Sequence, residues 1–193
     1  MSGAMETLAA IYERHKGVDC RSGCDKGTVH SYIETYSEIF SPFRTSAKRV
    51  LEIGLMSGNS LRMWEEYFER SQVFGVDLCD TPHNGMADLR PLIAEGNHRV
   101  HLFDATSKDQ VEEHFADLKF DVIIDDASHY LPHQIAIYEN LKSHVAPGGI
   151  YVIEDVENFE RDGASLLALS DRSKVIDLRA IKNRYDDVLV VIQ

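Results

Sequence analysis

Two acidic pairs and one histidine carry the chemistry this sequence most clearly offers. Asp125-Asp126 closes the run Phe120-Asp121-Val122-Ile123-Ile124, Glu154-Asp155 closes Ile150-Tyr151-Val152-Ile153, and His129 stands three residues after Asp126. Carboxylates this close cannot all stay ionised without compensation, and a hard divalent cation with oxygen ligands supplies it. An imidazole beside such an ion, with an ordinary pKa of about 6.5, can take up a proton near neutral pH. The plainer alternative is that Asp125 and Glu154 cap helices or bind backbone while the other acids face water.

Both runs are short, rich in β-branched residues and free of polar alternation, as strands buried on both faces are. Between them, Leu131 to Val145 places Ile135, Ile137, Tyr138, Leu141 and Val145 at a largely helical spacing. Pro147-Gly148-Gly149 is then expected to close that helix and turn the chain into the next strand. A strand-helix-strand unit implies parallel strands and a right-handed crossover. In such sheets ligands bind beyond the carboxyl ends of the strands, which is where the four acids lie.

A second constellation precedes this one. Arg49 to Ile53 reads as a strand that runs through Gly54-Leu55-Met56-Ser57-Gly58-Asn59-Ser60 into a helix starting near Leu61. Gly54 and Gly58 permit close backbone approach and Ser60 can cap. The turn satisfies neither the full dinucleotide glycine pattern nor a phosphate-binding loop. Gln72 to Asp77 is a further strand, ending in an acid 25 residues after Glu52 and suited to ribose hydroxyls. Val100 to Phe103 is a third, followed by Asp104-Ala105-Thr106, where an adenine edge could be read.

In this order the elements resemble the class I S-adenosylmethionine-dependent methyltransferases, and more narrowly the metal-dependent sugar O-methyltransferases acting on macrolides and related glycosides. The likeness rests on Cys24-Asp25-Lys26-Gly27, His30-Ser31-Tyr32, Tyr36, Leu51-Glu52-Ile53-Gly54, Ser60 to Trp64, Gly75-Val76-Asp77, Asp125 to His129, and Pro147 through Asp155. It implies Mg²⁺ held by Asp126, Glu154 and Asp155, with Asp126 and His129 as the catalytic residues and His129 as general base. It implies an S-adenosylmethionine site taking in Glu52, Gly54, Ser60, Asp77, Asp104, Ala105, Asp125 and Tyr32. The implied substrate is a sugar hydroxyl of a glycoside or glycan. Two departures are visible: the first glycine turn is poorer in glycine than the family's, and Cys24 stands where Thr is common. A catechol-type small-molecule O-methyltransferase and a nucleotide-binding protein of another kind, such as a nicotinamide oxidoreductase, are the competing readings.

The expected fold is α/β: a Rossmann-like, seven-stranded, mostly parallel sheet with a reversed last strand and helices on both faces. Residues 1–47 form an N-terminal helical segment and 48–193 the core, together a single domain. Met5 to His15 and Val29 to Phe40 read as helices, Glu157 to Gly163 as a loop, and Ala164 to Ser170 as a short helix. Lys174 to Leu178 and Asp187 to Ile192 read as a closing antiparallel pair.

Length and composition agree with this. The 193 residues, 44% hydrophobic, are enough for one self-sufficient core. A formal net charge of −12 disfavours nucleic acid as a partner. No run approaches the roughly 20 apolar residues needed to span a membrane, and no signal peptide is present, so a cytoplasmic protein is expected. Cys20, Cys24 and Cys79 make neither a disulfide framework nor a zinc pattern. His15, His83, His98, His101, His114, His133 and His144 read as surface or structural residues, and Trp64 as core. Met1-Ser2-Gly3-Ala4 reads as an expression remnant. The chain ends inside its last strand, which suggests one domain of a longer, glycosyltransferase-bearing polypeptide; the other partner expected is a second copy of the chain, in a homo-oligomer.

Overall fold

A computed structural model describes residues 5–78, 89–95 and 99–193; Met1 to Ala4, Cys79, His83 and His98 lie outside them. The described strands form one sheet: β1 (Arg49–Ile53), β2 (Gln72–Asp77), β3 (Arg99–Leu102), β4 (Phe120–Asp125), β5 (Val145–Ile153), β6 (Ser173–Asp177) and β7 (Val188–Ile192). Their order is β3-β2-β1-β4-β5-β7-β6. All neighbours from β3 through β5 are parallel, and β7 runs antiparallel to both β5 and β6.

The apolar runs form central strands because each strand alternates between two cores. Val50, Val122, Ile124, Ile150 and Val152 pack on one face. Leu51, Ile53, Ile123, Tyr151 and Ile153 pack on the other. The first face is covered by α1 (Leu8–His15), α2 (Tyr32–Phe40), α3 (Asn59–Tyr67) and α4 (Arg90–Glu95), the second by α5 (Lys108–Phe115), α6 (Leu131–Leu141) and α7 (Phe159–Leu167). A one-turn α8 (Arg179–Lys182) joins β6 to β7 and buries nothing. The N-terminal segment packs against α3: Tyr36 and Phe40 meet Trp64 edge-on at centroid distances of 5.5 and 5.6 Å. Trp64 is therefore core, as its sequence context predicts.

Four expectations need correction. The helix from Leu131 stops at Leu141, and after a three-residue 3₁₀ turn β5 begins at Val145, with Pro147-Gly148-Gly149 inside it. A register shift between Phe120 and Val122 absorbs the irregularity. The segment before α2 is a turn until Tyr32, because the Asp25 carbonyl accepts from the amides of Thr28, Val29 and His30. α7 starts at Phe159, where the Asn158 side chain caps by accepting from the Arg161 amide. Ser60 is not a cap: Gly58, in the left-handed region at φ +72°, holds that position, and the Ser60 hydroxyl donates to Glu52 at 2.9 Å.

Strand order reverses between β1 and β4, both of which are followed by loops at the same edge of the sheet. Such a switch point opens a crevice beyond the carboxyl ends of the strands.

Candidate active site

A cleft of about 650 Å³ occupies that crevice. Gly54, Ser60, Asp77, Asp104 and Ala105 line one half, and Asp126, His129, Glu154 and Asp155 the other, with Asp25, Lys26 and His30 of the N-terminal segment closing over them. The loops that carry these residues are fixed by bonds that continue the strand ladders: Gly54 N to Val76 O at 2.8 Å, Asp126 N to Ile53 O at 2.9 Å, and Glu154 N to Asp125 O at 2.9 Å.

Alternation splits the first acidic pair. Asp125 is the last residue of β4 and points into the second core, where the Tyr151 hydroxyl donates to it at 3.3 Å. Asp126, one residue on, turns into the cleft. His129 Nε2 lies 3.1 Å from Asp126 Oδ1 and 3.6 Å from Asp155 Oδ2. Both His129 (φ +56°) and Asp155 (φ +51°) hold left-handed backbone conformations, which cost non-glycine residues of order 1–3 kcal/mol and gather where function demands them.

Lys26, only 1% exposed, places its ammonium among the acids. Its Nζ lies 2.6 Å from Asp126 Oδ2 and 2.7 Å from each oxygen of Glu154, and 3.6 Å from Glu52 Oε1. Glu154 also accepts from the Tyr36 hydroxyl at 2.6 Å, and Asp155 from the Tyr32 hydroxyl at 2.5 Å. Glu52 is held by the Trp64 indole N–H at 3.1 Å as well as by Ser60.

Burial raises the Glu52 and Asp125 carboxyls to about 7 each. Asp155 rises to about 6 through burial and the nearby Asp126 charge. Glu154 is pushed up by burial, Asp126 and Asp155, against the pull of Lys26. Asp126 alone goes down, to about 2, because Lys26 and His129 outweigh its burial. His129 would be lowered by burial, but its bond to Asp126 and the surrounding acids lift it to about 9. Four acids held above their ordinary range, by burial first and despite a buried lysine, mark a cluster short of positive charge. Asp126, His129 and Asp155 each bring a donor atom within 4.8 Å of the others. Oxygen donors, a charge deficit and convergence fit a hard divalent cation.

Each of the expected site residues has a definite place. Gly54, Ser60, Asp77, Asp104 and Ala105 open onto the cleft with Asp126, His129, Glu154 and Asp155, whereas Glu52, Asp125 and Tyr32 stand behind its wall. Both Glu154 oxygens face Lys26, so Glu154 lies one layer behind the Asp126–His129–Asp155 triplet. Asp77 is oriented by accepting from the Leu55 and Leu78 amides at 2.9 and 2.7 Å, and Asp104 by the Thr106 amide and hydroxyl. His133, expected as a surface or structural residue, is exposed at the rim of the cleft, where it meets the Ser128 hydroxyl at 2.7 Å. His144, by contrast, is buried against the Leu118 carbonyl. Sequence reasoning gave Lys26 no role; a lysine in a glycine-flanked turn signals nothing until its acids, 100 and 128 residues away, are brought to it.

A family model described as a methyltransferase domain matches residues 51–156. The 8-demethyl-8-alpha-L-rhamnosyl tetracenomycin-C 2'-O-methyltransferase of Streptomyces olivaceus is 34% identical over 148 residues, 73% of this chain and 37% of the relative. The L-olivosyl-oleandolide 3-O-methyltransferase of Streptomyces antibioticus is 36% identical over 165 residues, 78% of this chain and 36% of its own length. The chain thus spans somewhat over a third of these curated relatives. Among solved structures, MycE methyltransferase from the mycinamycin biosynthetic pathway, in complex with Mg and SAH, matches with a TM-score of 0.63 at 30% identity, covering 78% of this chain and 36% of that one. A MycE complex that also holds mycinamycin VI aligns with 98% of this chain and 55% of that one at a TM-score of 0.73 and 24% identity, which shows the shared fold. The sheet order, the switch-point cleft and these matches agree, and the chain belongs to the methyltransferase domain family.

Proposed function

We propose that this chain methylates a sugar hydroxyl of a glycoside, using S-adenosylmethionine and a divalent cation, Mg²⁺ by analogy with the MycE complex. The observation that carries the reading is the convergence of Asp126, His129 and Asp155 on a cleft whose acids are short of positive charge. When bound, S-adenosylmethionine supplies the methyl group and the cation lowers the pKa of the alcohol, as metal ions do for water.

The remaining work falls to the chain's own groups. Asp126 and Asp155 offer the oxygens that hold the ion, with Glu154 behind them. Asp77 and Asp104, fixed by backbone amides at the ends of β2 and β3, would take the ribose and adenine of the cofactor; their fixed carboxylates beside the cleft support this. His129 takes the hydroxyl proton, and the imidazolium so formed is held at Nε2 by Asp126 Oδ1 and Asp155 Oδ2. The N-terminal segment, through Asp25, Lys26 and His30, covers the cleft and limits water there.

The deciding experiment measures methyl transfer across a panel of glycosides, with and without excess chelator, beside binding of S-adenosylhomocysteine and NADH. Transfer to a sugar hydroxyl that stops in chelator, with binding of S-adenosylhomocysteine and not NADH, is expected. Full turnover in chelator, or binding of NADH alone, would contradict the proposal.

A further inference from the structure

We infer that Lys26 is the internal counter-ion of the acid cluster: it holds Asp126 and Glu154 together while no divalent ion is bound and releases their oxygens when one arrives. The inference rests on the proposed function and concerns what the ion displaces. The lysine comes from the turn between α1 and α2, not from the sheet, yet it is 1% exposed and reaches acids at the ends of two strands. Its three shortest contacts go to Asp126 Oδ2 and to both oxygens of Glu154, at 2.6 and 2.7 Å. An ammonium has three donors, so these contacts use all of them.

The backbone of the turn is held in place, so any movement is left to the lysine side chain. Lys26 O accepts from the Tyr32 amide at 2.9 Å, and Lys182 donates to the carbonyls of Gly27, Thr28 and His30 just beyond it. Asp126, one of the two acids proposed to hold an ion, therefore spends one oxygen on Lys26 and presents the other to His129. A divalent ion entering the triplet competes with the ammonium for Asp126 and repels it at short range. Lys26 is on this account a positioning residue: it keeps the acids assembled and sets how tightly the ion is held.

The test uses Lys26→Met and two readouts, neither of them turnover. In excess chelator, removing the lysine strands the buried acids, and the Tm should fall by about 10 °C. In calorimetry, Mg²⁺ should bind the variant on the order of tenfold more tightly, or better, because the competing cation is gone. A lysine that merely packs the turn would also lower Tm, but it would leave Mg²⁺ affinity unchanged or weaker. That outcome overturns the role given to Lys26. An unchanged Tm in chelator overturns it as well. If Lys26→Met yields no folded protein, Lys26→Gln keeps a donor for the same oxygens without the charge and serves for both readouts. Absence of ion binding by the wild-type chain would contradict the proposed function, which keeps the two failures distinct.

Discussion

Asp125 and Asp126 are neighbours in sequence with opposite surroundings, since β4 carries Asp125 into the core while Asp126 leaves the strand. Asp126→Asn should nearly abolish turnover and weaken ion binding, because it removes the negative charge of a proposed ligand to the cation. Asp125→Asn should leave ion affinity near that of the parent, since burial already favours the uncharged carboxyl at about 7. Calorimetry with Mg²⁺ on both variants decides it; equal losses would show that Asp125 also faces the ion. For His129, replacement by Ala should lower kcat by roughly 10²–10⁴, the usual cost of lost acid-base catalysis. The ring must be neutral to accept a proton, and the acids hold it protonated to about 9 before an ion joins them. Turnover should therefore rise with pH as the ring loses its proton. A kcat that falls over pH 6–9, or an alanine variant with normal turnover, would assign the base elsewhere.

At the scale of elements, the turn after β1 joins the two halves of the cleft. Gly54 has φ +86°, and a Cβ there would stand 2.0 Å from the Asp126 carbonyl oxygen and 2.8 Å from Ala127 Cα. The glycine lets the β1 and β4 loops touch, which is a different reason for it from the cofactor approach that the sequence suggests. Gly148 supplies a control, since its φ is +77° but an added Cβ there meets nothing within 4 Å. Gly148→Ala should cost only the left-handed backbone term, about 1–2 kcal/mol. Gly54→Ala should cost more, about 3–5 kcal/mol, because a backbone clash adds to that term. Urea midpoints of the two variants measure the difference, and equal losses would remove the clash from the account. The strands and the acids at their ends were legible because buried β-branched runs and strand-end carboxylates are local signals. The start of α7 was hidden by Gly163, which breaks a helical pattern on paper but here lies under the Phe159 ring, 2.4 Å from where a Cβ would sit. β5 was shortened for a similar reason: Pro147-Gly148-Gly149 looks like a terminator, and only pairing of Val145 with Phe120 shows that the strand has already begun. Lys26 was illegible because its meaning lies wholly in contacts across the fold.

Across the whole molecule, acids whose carboxyls are lowered and acids whose carboxyls are raised pull the pH dependence of stability in opposite directions. Asp19, Glu66, Glu160 and Asp177 are lowered by hydrogen bonds to Ser22 or to arginines, so their contribution is present above the unfolded carboxylate range and lost as pH falls below about 4. Glu52, Asp125 and Asp155 do the reverse. Their folded values, about 7, 7 and 6, lie above those of the unfolded chain, so the folded state binds more protons between roughly pH 4 and 7 and loses stability as pH rises through that window. His129 continues the trend: its stabilising protonation is complete below the unfolded value of about 6.5 and is lost as pH rises through about 9. The metal-free protein should therefore have its highest Tm near pH 5 and a falling Tm from there to pH 9. A divalent ion supplies the missing positive charge and competes with these protons, so the Tm gain from saturating Mg²⁺ should be larger at pH 8 than at pH 5.5. Thermal melts in chelator and in Mg²⁺ at the two pH values read both effects. A Tm gain that is equal at both, or larger at pH 5.5, would mean that the ion does not bind among Asp126, His129 and Asp155, whatever its effect on turnover.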